Sequence, residues 1–312
     1  RYKSKLLNFV NSLFINSITK NIDISEPIII YQNQLLGSWI SFKFKKTFNA
    51  PLLVRTGYDM YEFSINEKKS FIKKNLYKYL TTYTLKIADM YTVASNCDKE
   101  FINQNFKNKN QNKIRIRPNW VRINETYNKK DLENNKTNKL VSVGRLEPQK
   151  NYDMLIRCLE NTDFDLDIYG DGSLKKELET LAKDLSVNVN FKGIVNNDDL
   201  INLLKEYRFY ISASLFEGNP KSVLEAMAND CLVIASDIKN HTEFLNNENS
   251  LLFKNNESDL RNLLNNLKID DIKYNLLIDN AKQSVKNLFS IEQLVKWEIE
   301  DFNELLNSKE YR

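Results

Sequence analysis

At 312 residues the chain is too long for one small core and suits two domains. A hydrophobic fraction of 42% excludes general disorder, while three cysteines and a single histidine exclude a disulfide framework and a structural zinc centre and point to a reducing compartment. Charge is uneven: residues 1–136 hold 24 Lys and Arg against 11 Asp and Glu, and the remainder 21 against 30, so a basic first half faces an acidic second half within a net charge of +4. Such asymmetry predicts that the first half meets something anionic, a membrane surface or a phosphorylated partner.

No run of eighteen apolar residues offers a membrane span. Leu6, Leu7, Phe9, Val10, Leu13 and Phe14 recur at helical spacing among polar residues, which predicts an amphipathic helix and not a signal peptide. Apolar strand patterns follow at Ile28–Tyr31, Leu52–Arg55, Met90–Val93 and Ile114–Ile116, separated by helix patterns over about 33–46, 66–87 and 96–106. This alternation predicts a parallel sheet with helical crossovers. The helix over 66–87 interleaves Lys68, Lys69, Lys73, Lys74, Lys78 and Lys86 with large apolar residues. A basic amphipathic helix of this kind can lie on anionic lipid, although a Lys-rich face is also the ordinary solvated surface of a packed helix. No nucleic-acid-binding motif accompanies the charge.

The Asn- and Lys-rich stretch 125–138 reads as a linker. Beyond it, strands are predicted at Leu140–Val143, Asp165–Tyr169, Val187–Phe191, Phe209–Ser212 and Cys231–Ala235, each followed by a helix pattern. This is a doubly wound unit, and ligands of such sheets bind at the carboxyl ends of the strands. The turns there are Gly144–Asn151, Gly170–Ser173, Lys192–Val195 and Glu217–Glu225. Glycine at several of these strand ends would let a ligand approach the backbone. A capping box, Ser290-x-x-Gln293, opens a last helix through Trp297 and Phe302.

The segment Phe216–Met227 carries the most chemistry. Asn219 is a suitable N-cap and Pro220 a suitable first helical residue, so the amides of Lys221, Ser222 and Val223 would open toward an anion beside the Lys221 ammonium. Glu217 and Glu225 flank that site. Carboxylates beside a phosphate site make sense for a ligand with a diphosphate in the middle and hydroxyl-bearing rings at both ends, since a carboxylate accepts two bonds from a vicinal diol. A nucleotide-sugar has that shape. Taken alone, Glu225 is also a first-turn acid suited to the helix dipole and Glu217 a solvated loop acid; Arg145 could pair with Glu147, and Lys150 could be a solvated loop lysine.

Five elements together resemble glycosyltransferase family 4, retaining enzymes of GT-B fold that build bacterial surface polysaccharides. They are Val143-Gly144-Arg145-Leu146 with Gln149-Lys150-Asn151, Ile168-Tyr169-Gly170-Asp171-Gly172, Phe191-Lys192-Gly193-Ile194-Val195, Glu217-Gly218-Asn219-Pro220 with Leu224-Glu225-Ala226-Met227-Ala228, and Glu243 ahead of Asn249-Ser250-Leu251-Leu252-Phe253. The resemblance spans about 28–306 and is strongest over 139–253. It implies an α/β protein of two Rossmann-like doubly wound domains facing a cleft: an acceptor-side domain over 1–124, the linker, a donor domain over 139–289, and a helix over 290–312 that packs back on the first domain. It further implies that Arg145 and Lys150 contact the donor diphosphate, Glu225 the ribose, Glu217 the transferred sugar and the backbone near Ile194 the base, with Gly144, Gly170, Gly172, Gly218, Asn219, Pro220, Lys221 and Ser222 completing the donor site. Gln32, Gln34, Arg55, Thr56, Gly57 and Tyr58, at strand ends of the first half, would line the acceptor side. The chain does not begin with Met and no Gly-rich turn precedes Ile28, so about 50 residues of a doubly wound first half would be missing.

The expected activity is retaining transfer of a hexose-type sugar from a nucleoside diphosphate donor, such as a UDP- or GDP-sugar, to a lipid-linked glycan. The enzyme would be cytoplasmic, at the inner face of the membrane, without nucleic acid and without a metal, because cations and helix amides take the metal's role. A sugar-nucleotide epimerase of the same fold would need acid and base groups that the sole His241 and the Glu217–Glu225 element supply poorly. A non-catalytic nucleotide-sugar binding subunit differs from an enzyme in donor turnover. A dehydrogenase is disfavoured, since no Gly-x-Gly-x-x-Gly follows a strand.

Overall fold

The computed structural model describes residues 26–107, 111–123 and 137–308, with backbone alone for 111, 137 and 138. The helix expected at Leu6–Phe14 and nearly all of the 125–138 stretch lie outside these residues. The chain forms two compact units, one of residues up to Pro118 together with Val295 onward, the other Asn119–Leu294.

The first unit holds a parallel sheet in the order β1 (Ile30–Asn33), β2 (Leu52–Arg55), β3 (Met90–Val93), β4 (Ile114–Ile116). Leu52, Leu53, Val54 and Met90–Val93 are all buried, as expected for strands covered on both faces. Helices α1 (Ser38–Phe48), α2 (Met60–Asn66), α3 (Phe71–Ile87) and α4 (Asn96–Asn105) connect them. Helix starts follow side-chain chemistry: the Asp59 carboxylate accepts the Glu62 amide at 2.9 Å and the Ser95 hydroxyl the Asp98 amide at 3.0 Å. The single helix expected over 66–87 is instead two, because Lys68 takes a left-handed conformation (φ 51°) that ends the first before Ser70 starts the second.

The second unit holds six parallel strands: β5 (Thr137–Val143), β6 (Leu166–Tyr169), β7 (Val189–Gly193), β8 (Tyr207–Ser212), β9 (Leu232–Ser236) and β10 (Leu251–Phe253). Their order is β7-β6-β5-β8-β9-β10, the Rossmann order, with its reversal between β5 and β8. Alternate residues feed two cores. Leu140, Ile168, Phe209, Ile211, Leu232 and Ile234 enter one, and Val141, Tyr169, Tyr210, Val233 and Ala235 enter the other. Strand β10, only three residues long, carries too short an apolar run to be read as a strand from sequence. Between the strands lie α5 (Tyr152–Cys158), α6 (Lys175–Asp184), α7 (Asn197–Leu204), α8 (Lys221–Ala228), α9 (Lys239–Thr242), α10 (Glu257–Asn265) and α11 (Asp271–Phe289).

The divisions differ from the expected 124/125 and 289/290. Residues 119–123 belong to the second unit because Asn119 bonds to Asn219 and the Val121 amide to the Phe289 carbonyl at 2.9 Å. The last helix, α12 (Ile291–Leu306), changes unit after Leu294. From Val295 its residues serve the first: Leu305 packs with Leu53 and Met90, the Arg117 guanidinium lies 5.3 Å from the Trp297 ring, and Phe302 meets Tyr31 edge-on. Among the described residues no helix is long and apolar enough to cross a membrane.

Buried Asp301 accepts from Arg115 at 2.8 Å and from Arg117 at 2.7 and 2.8 Å, and Glu298 pairs with Arg55 at 2.6 Å. Asp301→Ala would leave the shielded Arg117 guanidinium without its anion and Arg115 with Glu304 alone, and should lower first-unit stability by about 2–3 kcal/mol in urea unfolding. A change below 0.5 kcal/mol, about the range of an ordinary surface site, would show that the cluster does not hold the last helix in place.

Candidate functional site

The candidate donor site lies at the carboxyl ends of β5 and β8, where the strand order reverses. The turn after β5 presents Gly144, exposed Arg145, and then Gln149 and Lys150 on a short 3-10 turn (Pro148–Lys150) that Asn151 ends with φ 53°. The turn after β8 runs through Ser214, Phe216 and buried Glu217 into α8. Lys150 Nζ sits 2.6 Å from Glu217 Oε1, which also accepts the Ser214 hydroxyl at 2.6 Å. Gln149 Nε2 donates to Glu217 Oε2 at 3.2 Å and to the Phe216 carbonyl at 2.9 Å, and the Leu215 amide donates to the Gln149 carbonyl. The two turns are thus stitched together through one carboxylate.

Lys150, for which the resemblance implies a donor diphosphate, and Glu217, for which it implies the transferred sugar, are here each other's partners. The Arg145 guanidinium reaches Gln149 Oε1 at 3.4 Å, whereas Glu147 accepts from the Ser173 amide and hydroxyl. Gln149 and Ser214 were not assigned roles by sequence; only their place at strand ends signals them.

The start of α8 differs from the predicted cap. Pro220 is the N-cap, and the Asn219 side-chain oxygen instead accepts the Asn119 amide at 3.0 Å while Asn119 Nδ2 donates to the Asn219 carbonyl. Asn219 is drawn out of the cap by this reciprocal pair. The Val223 amide bonds to the Pro220 carbonyl, so two amides, those of Lys221 and Ser222, have no acceptor among the described residues. The Lys221 ammonium lies 5.4 Å from the Trp120 ring and 3.4 Å from Glu225 Oε1. Glu225 is buried on the first turns of α8 and accepts Asn197 Nδ2 at 2.7 Å. Burial pushes the Tyr210 phenol far up, which keeps it protonated to donate to Ser222 Oγ at 2.9 Å.

The glycines have a packing role. A Cβ on Gly170 (φ 150°) would fall 1.9 Å from the Gly144 carbonyl oxygen, and one on Gly172 2.5 Å from that of Leu146. They let the β5 and β6 turns pack backbone to backbone. Gly144 sits close beneath Lys150, Gly218 accepts Asn240 Nδ2 at 3.1 Å, and Ile194 stands well exposed just past edge strand β7.

His241, in α9, is fully buried nearby. Its Nδ1 lies 2.8 Å from the Ser236 carbonyl, which can only accept, so that nitrogen carries the proton, and Nε2 has no partner among the described residues. The Ser236 hydroxyl donates to the Ser214 carbonyl, joining this group to the Glu217 network.

The acceptor-side candidates sit in the first unit and are described within it. Gln32 Nε2 donates to the Gln34 carbonyl at 2.7 Å and to Ser38 Oγ at 3.0 Å, and the side-chain oxygens of Gln32 and Gln34 have no partner among the described residues. Tyr58 packs against the Phe63 ring at a tilt of 41° and stays exposed. Buried Thr56 donates to the Thr92 carbonyl, and Gly57 abuts the Gln34 amide. Arg55 is engaged by Glu298 and the Pro118 carbonyl instead of standing open to a ligand.

A doubly wound unit with carboxylates and open amides at its switch point places this chain among the α/β proteins whose topology gathers a ligand site at the strand ends. The family model for glycosyl transferases group 1 matches residues 123–284, and the chain belongs to that family. It is 33% identical over 177 residues to an N-acetylgalactosamine-N,N'-diacetylbacillosaminyl-diphospho-undecaprenol 4-alpha-N-acetylgalactosaminyltransferase of Campylobacter jejuni, the match covering 52% of this chain and 45% of that one. The chain spans about half the length of the curated relatives it matches. In structure it resembles TarM of Staphylococcus aureus (TM-score 0.75, 22% identity, 95% of this chain and 57% of that one). It also resembles HepE of Anabaena in complex with UDP and glucose (TM-score 0.79, 18% identity, 97% and 84%). The fold is GT-B, with two Rossmann-like domains.

Burial lowers the His241 pKa from 6.5; the Ser236 carbonyl and Glu217 oppose this shift and Lys150 adds to it. The folded pKa lies below the unfolded one, so the stabilisation is complete above pH 6.5 and is lost as pH falls toward the folded value. With one histidine in the chain, the unfolding free energy should fall on acidification below pH 6.5 by up to about 1.4 kcal/mol per pH unit before the carboxylates titrate. His241→Leu should flatten that slope; an unchanged slope in urea titrations from pH 7 to 5, a window that spans its ordinary pKa, would mean that His241 is solvated.

Proposed function

We propose that the chain is a retaining glycosyltransferase of family 4 that passes a sugar from a nucleoside diphosphate donor to a lipid-linked glycan in surface-polysaccharide synthesis. It would work at the inner face of the membrane. The observation that carries this reading is the placement of Glu217 and Glu225 on either side of the two open amides of α8, with Lys150 and Arg145 on the adjoining turn. Membership of the family supports the reading, as does the undecaprenol-linked substrate in the name of the Campylobacter relative.

The resting Lys150–Glu217 pair gives the site its chemistry. An incoming diphosphate replaces Glu217 as the partner of the Lys150 ammonium, and the freed carboxylate takes hydroxyls of the transferred sugar. Glu225 exchanges Asn197 for the ribose diol. In the reaction the bond between the anomeric carbon and the diphosphate oxygen breaks. The acceptor oxygen bonds to that carbon on the same face, and its proton passes to the departing phosphate. Lys150, Arg145 and the amides of Lys221 and Ser222 stabilise the charge that grows on the leaving group, which makes a general base unnecessary. The same cations replace a divalent metal.

Calorimetry with UDP, GDP and their sugar conjugates should show micromolar binding of one nucleotide, weakened by about 1–3 kcal/mol in Glu225→Ala and in Arg145→Ala. A folded sample that binds none of them would remove the donor site and the transferase reading with it. Transfer should also persist in excess EDTA. Activity abolished by the chelator and restored by Mg²⁺ or Mn²⁺ would overturn the metal-free mechanism.

A further inference from the structure

The Glu217 carboxylate has two neutral partners besides Lys150. Gln149 and Ser214 are both buried, at 7% and 0% exposure. Among the described residues three donors reach the carboxylate: the Lys150 ammonium and the Ser214 hydroxyl share Oε1 at 2.6 Å each, and Gln149 Nε2 lies 3.2 Å from Oε2. Only the ammonium carries charge, so it alone is strongly drawn to an arriving diphosphate.

The two neutral donors are themselves held. The Ser214 carbonyl accepts the Ser236 hydroxyl at 2.7 Å and Asn255 Nδ2 at 3.1 Å, which fixes Ser214 from the end of β9 and from just beyond β10. Gln149 Nε2 also donates to the Phe216 carbonyl at 2.9 Å, its Oε1 accepts from Arg145 at 3.4 Å, and its main-chain carbonyl accepts the Leu215 amide. Lysine, in contrast, reaches Glu217 on a flexible four-carbon stem. Departure of Lys150 frees a lone pair on Oε1 while each oxygen keeps one donor, so the carboxylate does not turn.

The geometry points to Gln149 and Ser214 as positioning residues that keep Glu217 aimed at the transferred sugar once a bound diphosphate has taken Lys150. The inference rests on the donor-site reading proposed above and assigns the sugar-selective part of binding to two residues that act through Glu217. A pair that only stapled the two turns would serve nucleotide and nucleotide-sugar alike. A pair that aims Glu217 serves the conjugate alone.

The test is calorimetry of the full chain with UDP, GDP, UDP-glucose, UDP-N-acetylgalactosamine and GDP-mannose, read as the ratio of a conjugate's Kd to that of its bare nucleotide. In Ser214→Ala and in Gln149→Met, which keeps the side chain's length and removes its polar end, the ratio should rise at least about tenfold, while affinity for the bare nucleotide changes by less than about threefold. Gln149→Glu gives a second readout. The introduced carboxyl would stand about 3 Å from Glu217, where two carboxylates do not both stay ionised, and once protonated it donates as the amide does. Its ratio should therefore return toward the parent's as pH falls from about 8 to about 5.5. The charged and titratable groups about Glu217 are Arg145 and Lys150 on the turn of Gln149, His241 behind Ser236, and the Tyr152 and Tyr210 phenols, which burial keeps protonated. A parent series over the same pH range subtracts their share. A loss shared equally by nucleotide and conjugate would make the pair a structural staple and overturn the inference, as would ratios equal to the parent's or a Gln149→Glu ratio that does not move with pH. In each of these cases a parent that binds nucleotide leaves the transferase reading standing. A folded parent that binds neither nucleotide nor conjugate removes that reading and this inference with it.

Discussion

The Lys150–Glu217 pair is the constraint on which the second unit turns. Removing two charges from water costs more than their attraction commonly returns, so a shielded ion pair at the end of a sheet is a poor device for stability alone. Here the cost is offset by Ser214 and Gln149, which satisfy the remaining lone pairs of the same carboxylate. What the arrangement provides is position. The turns after β5 and β8 come from strands that are neighbours in the sheet but far apart in sequence, and the pair sets their separation where the Lys221 and Ser222 amides open. An ammonium held by one anion is also ready to exchange it for another.

The sheets were legible in the sequence for a plain physical reason. Parallel strands covered on both faces must be apolar throughout, so Leu52–Arg55 and Met90–Val93 coincide with observed strands, while Leu232–Ser236 is shifted from the expected Cys231–Ala235 by one residue. What escaped was decided by contacts between distant residues or by single backbone angles. Nothing local to Asn219 says that Asn119 will claim it, and the left-handed Lys68 that divides the helix over 66–87 has no glycine or proline to announce it. Strand β10 gains its identity from pairing with β9, which a three-residue run cannot declare alone.

For the site, residue types were readable and partnerships were not. Spacing brings Glu217 and Glu225 to one helix start, but only the fold shows that Glu217 is already occupied by Lys150 and Glu225 by Asn197. Gly170 and Gly172 show the same limit. A glycine at a strand end signals close approach, and the partner is the backbone of the preceding turn. His241, set in sequence between the polar residues Asn240 and Thr242, joins the Glu217 network through Ser236 and Ser214, which nothing local announces.

The charge asymmetry of the chain takes a different meaning once the last helix is in place. Counted along the sequence, the first half is strongly basic. In the folded first unit, however, Arg55, Arg115 and Arg117 are met by Glu298, Asp301 and Glu304, carboxylates from the opposite end of the chain. The arginines are therefore engaged in structure, Arg117 in the bidentate geometry for which guanidinium is suited. The basic residues left exposed on α3 are lysines, Lys73, Lys78 and Lys86. The basic balance of the first half is therefore in part an internal one, met once residues from the two ends of the chain come together.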